Sequence, residues 1–293
     1  MKNAMNTVIA TDFSKHSDYA VNLGKQLQEK FGGKATLIHI SDVSPVWDWP
    51  ATDVQAKNLL GQFQEEIKNS LDMKMRDQMN RCDVDFEGVI KFGNSQKELI
   101  SFIESTNADL LVMGHRGQTG FFGIGSFAGK MIASSPIPVL IAKNSSTIKS
   151  ITCLLDPAKI SKQALNVTND LVRGFQAKKK YLSFIADLSS GALMNIPFVM
   201  PSYEFDEQEK SQIIEKAKSH IISQERTISE SEIQIEISKL SAIKALTNAL
   251  SFSKTDLAIV SRHNRGTLET FFIGSVSMGI LNEFEGNILV LPS

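Results

Sequence analysis

At 293 residues the chain is long enough for about two domains of ~150 residues each. Its 31 basic and 32 acidic side chains leave a formal net charge of −1, which argues against recognition of nucleic acid or a membrane surface through bulk charge. Two cysteines, Cys82 and Cys153, lie far apart without metal-binding spacing, the usage expected of reduced, buried thiols in a cytoplasmic protein.

The opening residues Met1-Lys2-Asn3-Ala4-Met5-Asn6 have no apolar signal core behind them, and no apolar run approaches the ~20 residues of a membrane span. Thr7-Val8-Ile9-Ala10-Thr11-Asp12 is a short β-rich run ending in an acid. Ala20, Leu23, Leu27 and Phe31 then recur at helical spacing. In the first half the patterning predicts strands over 7–12, 34–41, 84–90, 109–114 and 138–142, and helices over 15–31, 54–80, 94–107 and 125–134. On the second of these helices Leu59, Leu60, Phe63, Ile67, Leu71 and Met75 form an apolar stripe, read as sheet packing.

The pattern is then written again. Ile151-Thr152-Cys153-Leu154-Leu155-Asp156 repeats the opening strand, with Asp156 at the place of Asp12. Ala108-Asp109-Leu110-Leu111-Val112-Met113-Gly114 parallels Thr255-Asp256-Leu257-Ala258-Ile259-Val260-Ser261, and Pro138-Val139-Leu140-Ile141 parallels Asn287-Ile288-Leu289-Val290. The second half predicts strands over 151–156, 179–186, 232–238, 256–261 and 287–291, with helices over 160–174, 206–227, 241–253 and 275–284. The polar stretch Asn144-Ser145-Ser146-Thr147 divides two domains, 1–146 and 147–293. Alternating strands and helices, with continuous apolar strands, predict an α/β fold: two doubly wound five-stranded parallel sheets of strand order 3-2-1-4-5. Ligands in such sheets bind beyond the carboxyl ends of the strands, at the switch point between the first and fourth.

That point carries the chemistry. Met113-Gly114-His115-Arg116-Gly117-Gln118-Thr119-Gly120-Phe121-Phe122-Gly123-Ile124-Gly125-Ser126 reads as strand end, glycine-rich loop and helix start. Glycines let backbone N–H groups approach an anion, and the helix that follows aims its own free N–H groups at the same place. The run is neither a Walker sequence nor the dinucleotide fingerprint. His115 and Arg116 sit inside the loop, within reach of a phosphate, as Arg262, His263 and Arg265 do in the other half. His39, on an apolar strand, reads as a satisfied core histidine. His16 and His220 fall on predicted helices without metal partners in register, and no catalytic triad or paired carboxylates can be read. Two segments are apolar for loops, 43–50 with Trp47 and Trp49, and 188–205 with Pro197 and Pro201, and suit lids or a protein-contact surface.

Taken together, the chain resembles a tandem member of the universal stress protein (UspA) family, once per half. The residues that carry the likeness are Thr11-Asp12-Phe13-Ser14, Ile38-His39-Ile40, Asp109 to Gly117, and Gly125-Ser126 through Pro136-Ile137-Pro138-Val139-Leu140-Ile141. The resemblance implies an internal pseudo-dimer whose fifth strands meet at the junction between halves. The nucleotide-binding branch of that family carries Gly-x2-Gly-x9-Gly-Ser/Thr. Here Gly114, Gly117 and Gly125-Ser126 match, with seven residues rather than nine in the loop. The family's nucleotide-contacting positions then fall on Ala10, Thr11, Asp12, Ile40, Met113, Gly114, Gly117, Gly125, Ser126, Phe127 and Ala128, with His115 and Arg116 beside them. In the second half they fall on Asp156, Ser261, Asn264, Gly274, Ser275, Val276 and Ser277, with the spacing intact and both leading glycines gone. The expected protein is a cytoplasmic stress-response protein that binds ATP or a related adenine nucleotide, with Mg²⁺ arriving only with the nucleotide. Its expected role is regulatory rather than catalytic, with a protein partner or a homodimer as the other contacts and neither nucleic acid nor membrane. The alternatives are a nucleotide-independent interaction module of the same fold and a weak ATPase.

Overall fold

In a computed structural model of the protein, the described residues are 4–42, 54–117, 124–156, 160–186, 205–238, 240–262 and 275–292. The apolar loop 43–50, all of 188–205 except Phe205, and the loop positions Asn264 and Gly274 lie outside them. The chain divides into two compact units. The described residues of the first run to Thr147 and include Asn287–Pro292; those of the second are Ile148 to Arg262 and Ser275 to Gly286.

The first unit alternates strand and helix: β1 (Thr7–Ala10), α1 (Lys15–Phe31), β2 (Ala35–Ser41), α2 (Val54–Cys82), β3 (Glu87–Phe92), α3 (Ser95–Thr106), β4 (Leu110–Gly114), α4 (Ser126–Ser134) and β5 (Val139–Ala142). Its strands lie in the order β3-β2-β1-β4-β5, every one of these pairs parallel. This is the strand order expected from the sequence. β1 is central, so Val8 and Ile9 are buried, as are Leu37 on β2 and Leu110 to Val112 on β4. Each such side chain contributes roughly 1.5–3 kcal/mol of burial.

The helices begin where polar caps stand. Ser14 accepts the Ser17 N–H at α1, and Asn94 accepts the Lys97 N–H at α3. The opening strand is shorter than expected. It ends at Ala10 rather than Asp12, because Phe13 turns to φ 63° and leads directly to the Ser14 cap.

In the second unit β6 (Ser150–Leu154), α5 (Lys162–Phe175), β7 (Lys178–Ala186), α6 (Glu207–Gln224), β8 (Ile233–Ser238), α7 (Ala242–Phe252), β9 (Leu257–Ser261) and α8 (Ser275–Glu283) follow the same plan, in the order β9-β6-β7-β8. The last strand, β10 (Asn287–Leu291), belongs to the first unit, where Ile288–Val290 run antiparallel to Val139–Ile141 of β5. The fifth strands of the two repeats therefore pair. Among the described residues no helix is long and apolar enough to cross a membrane.

Candidate functional site

Strand register brings the site together. Ala10 lies beside Ile38 on one side and Met113 on the other, so β1, β2 and β4 end side by side. Beyond these ends opens a cavity of about 510 Å³, inside the ~300–1,000 Å³ range of small-molecule pockets. Its floor is Ala10, Thr11 and Asp12 with Ile38, His39 and Ile40; Met113, Gly114, Arg116 and Gly117 form one wall. Ile124 to Ala128 close it from the start of α4, and Ser95 and Leu99 come from the start of α3.

Two glycines explain themselves differently. A Cβ on Gly114 would stand 2.7 Å from the His16 backbone oxygen, so this glycine is required by the close approach of α1. Among the described residues a Cβ on Gly117 would meet Asp12, 3.0 Å from Oδ2. With no side chain at 117 the loop backbone comes close to the Asp12 carboxylate, and both residues line the cavity. The Gly125 N–H donates to the His115 carbonyl at 2.8 Å, which ties the start of α4 to the end of β4. Gly125 is also the N-cap of α4 and gives no side-chain cap hydrogen bond, so the first turn of α4 reaches the cavity with its N–H groups uncapped by a side chain.

His115 itself lies off the cavity wall. Its backbone N–H and its ring Nδ1 both meet the Ala142 carbonyl, at 3.2 and 3.3 Å. Its ring stands edge-on to His16, with centroids 4.7 Å apart. Burial, reinforced by the nearby charges of Arg116 and Lys143, pushes its pKa down to about 4. His39 is half-buried, donates through Nδ1 to the Thr11 carbonyl at 2.9 Å and stacks on Phe13 at 4.4 Å. Burial lowers its pKa as well, which leaves a neutral ring with Nδ1 protonated.

The comparisons with known proteins bear on this arrangement. A model of the universal stress protein family matches residues 4–143. A curated universal stress protein of Methanocaldococcus jannaschii is 30% identical over 141 residues, which is 46% of this chain and 80% of that one. The chain belongs to the universal stress protein family. Two solved structures share its fold over nearly the full length. A universal stress protein from Archaeoglobus fulgidus is 15% identical with a TM-score of 0.63, covering 98% of each chain. One from Pseudomonas aeruginosa, described as putative, is 12% identical with a TM-score of 0.64, covering 99% of this chain and 93% of that one. These two likenesses are of fold.

Within this universal stress protein, Ala10, Thr11, Asp12, Ile40, Met113, Gly114, Arg116, Gly117, Gly125, Ser126, Phe127 and Ala128 all line the one cavity. Ser17, Ile38, Asp42, Ser95, Leu99 and Ile124 line it too, as does His39, which its apolar strand had suggested for the core. Asp42 directly follows β2 and was findable from the strand order. Its Oδ1 accepts the Ser95 N–H at 3.0 Å, which ties the start of α3 to the cavity. Ser95 and Leu99 depend on how α3 crosses the sheet, which no local pattern encodes. In the second repeat Asp156 is exposed, Ser261 and Ser277 are half-buried, and Val276 is 37% exposed. Ser275 opens α8.

Proposed function

We propose that the first repeat of this universal stress protein binds ATP or a related adenine nucleotide in the cavity above β1, β2 and β4, and that binding regulates rather than catalyses. The observation that carries this reading is Gly117, whose absent side chain leaves the Asp12 carboxylate facing the glycine loop. A carboxylate there accepts hydrogen bonds from ribose hydroxyls or an exocyclic amine. The first turn of α4, with no side-chain cap, offers N–H groups and the positive end of a dipole to phosphates. Ala10, Ile38, Ile40, Leu99 and Met113 supply apolar walls for a base. In this reading Mg²⁺ comes with the nucleotide, held by its phosphates. The protein works in the cytoplasm as part of a stress response, through a partner or a second copy that senses the occupied state.

Titration calorimetry with ATP and Mg²⁺ tests this. One ATP per chain is expected. Asp12→Ala weakens binding about tenfold or more, the loss of a charged hydrogen-bond acceptor. Gly117→Glu, which drives a second carboxylate against Asp12, abolishes it. Absence of heat and of any thermal shift at millimolar ATP overturns the reading and leaves a nucleotide-independent interaction module. Steady ADP release that disappears in Asp12→Ala overturns the regulatory half and makes the protein a weak ATPase.

A further inference from the structure

We propose that Gln78, a residue of α2 outside the cavity, is the positioning residue that aims Asp12, by holding the Thr11 hydroxyl. The proposal rests on the nucleotide-binding reading above and names what sets the geometry of that site.

Gln78 is fully buried. A buried primary amide is costly unless its polar atoms are bonded, and the bonds of Gln78 all go to the segment that flanks Asp12. Oε1 accepts from the Thr11 hydroxyl at 2.6 Å. Nε2 donates to Ser17 Oγ at 3.0 Å and to Asp18 Oδ1 at 2.7 Å. Asp18 is in turn gripped by the Arg81 guanidinium through Nε at 3.0 Å and Nη2 at 2.8 Å, one turn further along α2. Thr11 and Ser17 both line the cavity.

The Thr11 hydroxyl has two acceptors, Gln78 Oε1 at 2.6 Å and Ser17 Oγ at 3.0 Å, and with its proton on the shorter contact its lone pairs receive the Phe13 N–H, which donates to it at 2.9 Å. Phe13 stands at φ 63°, a region that bulky L-residues adopt only when their surroundings impose it. The next N–H, of Ser14, donates to Asp12 Oδ1 at 3.1 Å. Two hydrogen bonds therefore fold residues 11–14 around the Asp12 carboxylate, and one of them is oriented through Thr11 by Gln78. Where the sequence repeats, Leu155 stands at the place of Thr11 and has no hydroxyl to orient. The Thr11 N–H to Ile38 carbonyl bond is kept there, as Leu155 N–H to the Leu182 carbonyl, both 2.9 Å. The strand end is thus common to both repeats, and the hydroxyl lock belongs to the first alone.

The test separates aiming from packing. Gln78→Met fills the same space without polar atoms. In the ligand-free protein, amide exchange at Phe13 is expected to accelerate at least tenfold in Gln78→Met. Thr11→Val is expected to do the same and Thr11→Ser to restore slow exchange, which keeps the test decisive if Gln78→Met does not fold. In calorimetry with ATP, Gln78→Met is expected to weaken binding about tenfold, and this loss is expected to vanish when the change is made in the Asp12→Asn background. Unchanged Phe13 exchange overturns the proposal, as does an affinity loss of the same size with and without the Asp12 carboxylate. If the wild-type protein takes up no nucleotide, the binding reading fails, and Phe13 exchange alone then decides whether Gln78 holds the turn.

Discussion

His115 shows how a single residue within a motif can serve the fold rather than the ligand. It sits between Gly114 and Arg116, both on the cavity wall, yet its ring turns to the Ala142 carbonyl and to His16. Its folded pKa, about 4, lies below the ordinary 6.5 because burial disfavours the imidazolium. Between these values the unfolded chain binds a proton that the folded one refuses, so stability is fully present above pH 6.5 and is lost as pH falls toward 4. His39 is lowered by burial and adds a loss of the same sign. The denaturation midpoint is expected to drop across the upper part of this window, before ordinary carboxylates protonate. His115→Gln is expected to be less stable at neutral pH and to drop less on acidification. A wild-type midpoint that stays flat as pH falls below 6.5 contradicts this. The thiols behave as their spacing suggested, as buried groups: desolvation pushes Cys82 up to about 11 and Cys153 up to about 12.

At the scale of elements, the repeat marks a structural device as well as a duplication. Asp109, just before β4, accepts the Asn6 N–H on Oδ2 at 2.9 Å. Asp256, just before β9, accepts the Lys149 and Ser150 N–H groups at 2.8 and 2.9 Å. Each carboxylate staples the start of a fourth strand to the start of the first. Asp109→Ala and Asp256→Ala are each expected to cost about 1–2 kcal/mol, the loss of a charge-assisted bond to backbone, read as a shift in urea midpoint at constant slope. Equal midpoints for variant and wild type would show the staples to be idle. Element boundaries moved where local turns intervened. β3 begins at Glu87 rather than Val84 because Asp83 takes φ 53° and the Val84 N–H returns to the Met79 carbonyl at 3.0 Å. The stripe on α2 is only partly used, with Met75 buried and Phe63 53% exposed. A helix of 29 residues runs ~43 Å, whereas the six residues of β3 span only ~20 Å, so the helix overshoots the sheet it covers.

At the scale of the molecule, the last strand of the chain completes the first unit. β10 lies along β5, and Asn287 at its start is fully buried. Its Oδ1 accepts the Lys143 and Asn144 N–H groups at 2.9 and 3.3 Å. Its counterpart in the first repeat is Pro138, which has no side-chain amide to offer. A fragment ending at Thr147 would leave β5, with Val139-Leu140-Ile141-Ala142 buried throughout, as an open apolar edge. Such a fragment is expected to self-associate in light scattering, whereas a stable monomer would show that β10 is dispensable to β5.

Periodicity and repetition in the sequence were enough to determine the fold class, the two repeats, the strand order and the glycine-rich loop at the switch point, while most of the cavity wall came from the family resemblance. The first four follow from where apolar residues recur and from where glycines interrupt them, and both are local properties of the chain. The tertiary structure decided the rest. It turned His115 away from the cavity, exposed Phe63, brought Ser95 and Leu99 to the site from α3, gave β10 to the first unit and placed Gln78 behind Thr11. Those outcomes depend on which helix crosses which strand and at what depth, a geometry set by packing between segments dozens of residues apart.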